Sequence, residues 1–292
     1  MAERAHHRKL VNLVFWHHGS FGDIVYAFSV VEEYKKKFEK EDTGVHVTFL
    51  VKDRLRFEQF LRLTSVQPYI DRFSCNTGGT IRNLIKRLES GKPTESVNIA
   101  EVPELYTLNL DMFDETVFVD LATHYKRITL ADRKLHLVEC NSQSLGIDVD
   151  MHRPWLHNVE PSKTTNGKIV VNLTPRYKPL PGQSFEIADM QAIRDRCVFI
   201  GLPREHVRYV NFYGQIDYIS CWDVLSMAEE IAGCSLFLGN QSCAFSLAEA
   251  LKVPRLLTES KDAPNCTPSS NNGHVYKSSN DLHMVVNMYA SG

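Results

Sequence analysis

The sequence predicts an α/β protein of two Rossmann-like domains facing across a cleft. Three observations predict it. Apolar runs of strand length alternate with segments of helical spacing, first up to residue 145 and again from residue 168. The stretch between them, 148–168, loses periodicity and carries Pro154, Pro161 and Ser162-Lys163-Thr164-Thr165-Asn166-Gly167, the composition of a linker. Both halves also open as strand, loop, helix, which is how a nucleotide-binding half-domain begins. The expected division is 1–155 and 156–292, each of ordinary domain size.

In chain order, 11–16 is an apolar run that reads as a buried strand. Residues 24–40 follow with Ile24, Ala27, Phe28, Val31 and Tyr34 on one side and Lys35-Lys36-Lys37 near the end, where cations suit the helix dipole. Strand 45–51, helix 54–63, a short strand within 67–73 and helix 81–88 come next. Residues 116–121 read as a strand and 130–145 as a helix, with Gly146 as its C-cap. In the second half, 169–173 is a strand, 174–183 a Pro-rich loop, 185–196 a helix, 197–201 a strand, 202–213 a loop or helix and 222–232 a helix. The run 235–238 then ends in Gly239-Asn240. Ser242 is placed to cap a helix carrying Phe245, Leu247, Ala248 and Leu251, Pro254 stops it, and 255–257 is a strand.

The 292 residues are 43% hydrophobic and 23% charged, which suits a globular chain with a sizeable core. A net charge of −2 gives no strongly basic surface, so nucleic acid is not indicated as a partner. No apolar stretch approaches the length of a membrane span, which leaves only peripheral association with a membrane open. The polar N-terminus lacks a cleavage site of the secretory type. Seven scattered cysteines without a CxxC fit free thiols in a reducing, cytoplasmic setting better than disulfides or zinc.

Three stretches carry candidate chemistry. His18-Gly19-Ser20-Phe21-Gly22-Asp23 follows the first strand. It is neither a complete GxGxxG nor a P-loop. It reads as a tight turn with Asp23 capping the next helix, or as a loop whose glycines admit substrate while Asp23 acts as general base. Asn240-Gln241-Ser242 opens a helix at a strand's carboxyl end, where an anion is favoured. Glu249 lies seven residues after Ser242, about two turns along one face, and is either solvated or a ligand for ribose hydroxyls. Arg176 and Lys178 follow the second domain's first strand, placed to neutralise a diphosphate or to form a solvated basic loop. Gly201 sits at another strand end, where backbone amides can line a pocket. No HExxH and no cysteine pair argues for a metal. Ser242 and Cys243 lie in no GxSxG elbow.

Taken together these residues resemble glycosyltransferase family nine, the ADP-heptose:lipopolysaccharide heptosyltransferase group. Gly19-Ser20-Phe21-Gly22-Asp23-Ile24-Val25-Tyr26-Ala27 is similar to the family's N-terminal G-x-x-G-D and apolar helix. Phe237 to Ser242, then Leu247-Ala248-Glu249-Ala250-Leu251-Lys252-Val253-Pro254, resembles its C-terminal N-D-S-G, helix and G-V-P. Arg153-Pro154-Trp155-Leu156 resembles its interdomain stretch. The resemblance implies a GT-B fold and an inverting, metal-independent transfer without a cofactor. The donor would be a nucleotide-diphosphate sugar and the acceptor a glycan or other hydroxyl. It implies Asp23 as the base, with His18, Gly19, Ser20 and Gly22 forming the acceptor-side loop. Arg176, Lys178, Gly201, Asn240, Gln241, Ser242 and Glu249 would face the donor. Gln241 stands where the heptosyltransferases have Asp, Cys243-Ala244 replaces a Gly-Pro type pair, and Glu249 stands where many have Ala. A binding module without transfer activity, acting as a regulator or assembly partner, is the alternative.

Overall fold

The computed structural model describes residues 8–40, 42–75, 112–121 and 135–290. Its strands form two all-parallel sheets. The first contains β1 (Lys9–His17), β2 (Thr43–Val51), β3 (Arg72–Cys75) and β4 (Glu115–Asp120), in the order β3-β2-β1-β4. The second contains β5 (Ile169–Asn172), β6 (Cys197–Ile200), β7 (Asp217–Ile219), β8 (Leu236–Asn240), β9 (Arg255–Thr258) and β10 (Gly273–Val275). Its order, β10-β9-β8-β5-β6-β7, is the doubly wound arrangement, with the direction of winding reversing between β5 and β8.

The near-continuous burial of β1, β5 and β8 explains their unbroken apolar runs, because a parallel sheet is covered on both faces. The covering helices are α1 (Phe21–Phe38), α2 (Arg54–Ser65), α3 (Leu137–Leu145), α4 (Ile187–Ala192), α5 (Pro203–Tyr213), α6 (Val224–Gly233), α7 (Cys243–Leu251) and α8 (Ser279–Tyr289). One core of buried side chains joins the halves. It takes in Ile24, Val25 and Phe28 of α1 together with Ala244, Phe245 and Leu247 of α7.

Trp155 is pinned at this junction. Its indole Nε1 donates to the Val25 carbonyl at 2.9 Å and its backbone N–H to the Ala250 carbonyl at 3.0 Å. Tyr69 Oη donates to the Trp155 carbonyl at 2.7 Å.

Several boundaries shift for local physical reasons. Helix α1 starts at Phe21 because Ser20 is the N-cap, and Asp23, at the third position, completes the capping box instead of capping alone. Residues 202–213 are helical from Pro203, with Pro at the first position and the Glu205 carboxylate accepting from the Leu202 N–H at 2.9 Å. The expected helix over 185–196 divides into α4 and a 3₁₀ turn, Arg194–Arg196. Helix α7 ends because Lys252 adopts a left-handed conformation (φ 56°) two residues before Pro254. Gly146 caps α3 in the same conformation. The expected helix over 81–88 lies outside the described residues. Strands β7 and β10 and helix α8 had no counterpart in the sequence reading.

Candidate functional site

The carboxyl ends of β1, β5 and β8 open onto one cavity of about 460 Å³. It lies where open parallel sheets bind ligands, at the switch between β5 and β8. Helices α1 and α7 both begin on its wall. At Gly22 the two helices are so close that an added Cβ would sit 3.5 Å from Ser246 Oγ. Their positive ends therefore converge on the same space, a setting for an anion.

On the α1 side, Ser20, Gly22 and Asp23 line the cavity, whereas His18 and Gly19 do not. Asp23 Oδ2 accepts from the Ser20 N–H and from Ser20 Oγ, each at 2.8 Å. Gly19 is required by close packing, since a Cβ there would fall 2.5 Å from His17 Cε1 and 2.7 Å from Asp23 Oδ2. Burial lowers the His17 imidazole to about 4, so it stays neutral, and its Nδ1 accepts from the Gly19 N–H at 3.0 Å. Arg56 of α2 lines the cavity, donating from Nε to the Gly19 carbonyl at 2.8 Å and pairing with Asp53.

On the second sheet, Arg176, Gly201, Gln241 and Ser242 line the cavity. Ser242 is the N-cap of α7: its Oγ accepts from the Phe245 N–H at 3.1 Å and donates to Asn172 Oδ1 at 2.9 Å. The next residues, Cys243 and Ala244, carry the first amides of α7 at the cavity wall. Gly201 has φ 134°, and a Cβ there would meet Asn172 Nδ2 at 2.6 Å and Glu205 Oε2 at 2.9 Å. Gly201→Ala is therefore expected to cost about 1–3 kcal/mol, by displacing Asn172 and with it Ser242. Thermal melting of the variant checks it.

The other expected site residues sit elsewhere. Asn240 lies at the end of β8 but does not line the cavity. Its side chain holds the 174–177 loop, accepting from the Thr174 N–H at 3.0 Å and donating to the Thr174 and Tyr177 carbonyls at 2.7 and 3.1 Å. It thereby fixes the loop that carries Arg176, whose guanidinium lies 5.0 Å from the Tyr177 ring centre. Lys178 is exposed beyond the lining. Glu249 is neither solvated nor turned to the cavity. It is fully buried, in ion pairs with Arg255 at 2.6 Å and with Lys252.

Glu205, Tyr177, Tyr26 and Arg56 also line the cavity and are not among the site residues expected from the sequence. Only Glu205 carried a local signal, three residues after Leu202 at the start of a helix. Burial pushes the Cys243 and Cys221 thiols in the wall up to about 12, so neither is a thiolate at neutral pH. Among the described residues, no group of three His, Cys, Asp or Glu is placed to hold a metal ion. Nor is any described helix long and apolar enough to cross a membrane.

Scans against protein-family models and curated proteins return no match. Solved structures do match. E. coli heptosyltransferase WaaC with ADP superimposes with a TM-score of 0.59 at 13% identity, over 96% of this chain and 100% of that one. E. coli ADP-heptose LPS heptosyltransferase II gives 0.56 at 12%, over 97% and 98%. A family 9 glycosyltransferase from Veillonella parvula DSM 2008 gives 0.55 at 14%, over 92% and 86%. With two parallel Rossmann-like sheets and a cavity at their carboxyl ends, this chain has the GT-B-like α/β fold of the heptosyltransferases.

Proposed function

We propose that the chain is an inverting, metal-independent glycosyltransferase, moving a sugar from a nucleotide-diphosphate sugar to a hydroxyl of a glycan-type acceptor. The observation that carries this reading is the convergence of two helix N-termini and the Asp23 carboxylate on one cavity. Asp23 takes the proton of the acceptor hydroxyl. The oxygen attacks the anomeric carbon, forming the new glycosidic bond as the bond to the diphosphate oxygen breaks. The nucleoside diphosphate departs with both electrons of that bond. Its growing charge meets the amides of Cys243 and Ala244, at the helix start that Ser242 caps, and the Arg176 guanidinium. Gly201 lets the backbone approach the nucleotide. These groups supply charge compensation from the protein itself, so the scheme needs no metal.

The named ligands of the neighbours support a nucleotide-sugar donor: WaaC was solved with ADP and with ADP-2-deoxy-2-fluoro heptose. A cytoplasmic location accords with seven free thiols. The test is an assay of the purified chain against ADP-, UDP- and GDP-sugars with lipopolysaccharide-core and simpler glycan acceptors, with and without chelator. Chelator-resistant release of nucleoside diphosphate with an inverted glycoside product is expected. The second reading, a binding module without transfer, is favoured by one observation: both Ser20 hydrogen bonds fall on Asp23 Oδ2, which capping alone explains. Binding without turnover for every donor and acceptor would establish it.

A further inference from the structure

The peptide group that joins Gly19 to Ser20 is held at both ends by charged side chains. Its N–H, on Ser20, donates to Asp23 Oδ2 at 2.8 Å. Its carbonyl, on Gly19, accepts from Arg56 Nε at 2.8 Å. A cation, one peptide and the carboxylate proposed as the base therefore form a continuous chain. The turn is fixed on its other side as well, because the Gly19 N–H donates to the neutral His17 imidazole at 3.0 Å.

Arg56 is itself held for this contact. Its Nη1 pairs with the Asp53 carboxylate, whose other oxygen caps α2 by accepting from the Arg56 N–H at 2.9 Å. The guanidinium carbon lies 5.7 Å from the centre of the Phe21 ring, and the side chain is only 15% exposed. Capping of α1 accounts for the Ser20 bonds to Asp23. It does not account for a guanidinium at the far end of the same peptide, since any neutral donor would satisfy that carbonyl. A cation there polarises the peptide, and in such a chain each hydrogen bond strengthens the next. The effect falls on Asp23 Oδ2, which also accepts from Ser20 Oγ at 2.8 Å.

We propose that Arg56 is a positioning residue for the base, acting on Asp23 through the Gly19–Ser20 peptide. It holds Oδ2 against the turn, so that Oδ1 is the oxygen presented to the acceptor hydroxyl. Arg56 touches no reacting atom in this scheme. It fixes the orientation of the carboxylate that does, and Asp53 and Phe21 fix Arg56 in turn. The inference rests on the glycosyltransferase reading, with Asp23 as base.

The test is a double-mutant cycle on sugar transfer: wild type, Arg56→Met, Asp23→Asn and the two combined. All four are assayed with the ADP-, UDP- or GDP-sugar and the glycan acceptor that wild type turns over fastest. Arg56→Met is expected to lower kcat about 10- to 100-fold, the worth of a hydrogen bond to a charged group, while KM for donor and acceptor changes less than about 2-fold. In the Asp23→Asn background the same substitution is expected to change kcat less than about 2-fold, because no base is then left to position. Arg56→Lys keeps a cation on a similar stem and is expected to retain more of the rate than Arg56→Met; it replaces Arg56→Met in the cycle if that variant does not fold. A merely structural role would cost the same factor in both backgrounds. That result, a wild-type kcat in Arg56→Met, or a loss confined to the acceptor KM overturns the proposal and leaves the transferase reading standing. A wild-type rate in Asp23→Asn overturns the base and the positioning role together. No turnover by wild type with any of these donors overturns the transferase reading itself, and the proposal with it.

Discussion

Asp23→Asn is expected to slow sugar transfer by about 10²–10⁴-fold, the usual worth of a positioned general base, with little change in melting temperature. The two halves of that expectation come from different atoms. The structural task of Asp23 is to accept the Ser20 N–H and hydroxyl on one oxygen, and an Asn amide keeps an oxygen for that. Its proposed catalytic task is to take a proton, which the amide cannot do at neutral pH. Steady-state rates with saturating donor and acceptor, beside a thermal melt, measure both. A variant that transfers at the wild-type rate removes Asp23 as the base. A variant that fails in both respects assigns the residue to the cap. Asp23→Ala loses base and cap together, so it is expected to show the same rate loss plus about 1 kcal/mol of destabilisation.

The legible parts of this protein are those whose signals are local. The β1–loop–α1 and β8–α7 units were readable because a buried parallel strand is an unbroken apolar run and a helix start needs a cap. Those two units carry Asp23 and Ser242, which the fold brings to one cavity. Arg56 was not readable: its guanidinium reaches the Gly19 carbonyl only because α2 packs beside the β1–α1 turn, across 37 residues of chain. Asn240 was read as a ligand contact because it ends a strand, but its amide is consumed by the adjacent 174–177 loop. Glu249 misled for a related reason. Helical spacing placed it on the face of Ser242, but spacing does not say what that face meets. The missed clue was Arg255, a lone cation within the apolar strand 255–257, three residues from Lys252 and six from Glu249. Charges in that position are seldom buried without a partner.

That partnership gives the largest expected stability effect. Glu249 and Arg255 are both fully buried, joined at 2.6 Å, and the Arg255 guanidinium also donates to the Val253 carbonyl at 2.9 Å and to Ser270 Oγ at 3.0 Å. Lys252 adds a second cation to the Glu249 carboxylate, and its ammonium sits 4.4 Å from the centre of the Trp155 ring. The cluster thus ties α7 and β9 to the 269–272 segment and to the residue that pins the two halves together. Removing one partner leaves an uncompensated buried charge, so Arg255→Met is expected to cost about 3–5 kcal/mol, or roughly 10 °C in melting temperature. Glu249→Gln keeps the volume and is expected to cost less than Arg255→Met, because the amide still accepts one hydrogen bond. The double variant Glu249→Leu with Arg255→Met is expected to recover part of the loss, since no charge is then stranded. Burial opposes the charged form of Glu249, yet Arg255, Lys252 and the hydrogen bonds from Lys252 and Ser269 outweigh it and hold the carboxyl below its usual 4.5. The stabilisation from this group is therefore fully present above pH 4.5 and is lost as pH falls through its lowered folded value. The difference in unfolding free energy between wild type and Glu249→Gln, measured by denaturant titration, should be constant above that pH and shrink below it. A difference that is flat down to the acid transition would show that the carboxylate's charge contributes nothing, and that its place in the core rests on shape and hydrogen bonding alone.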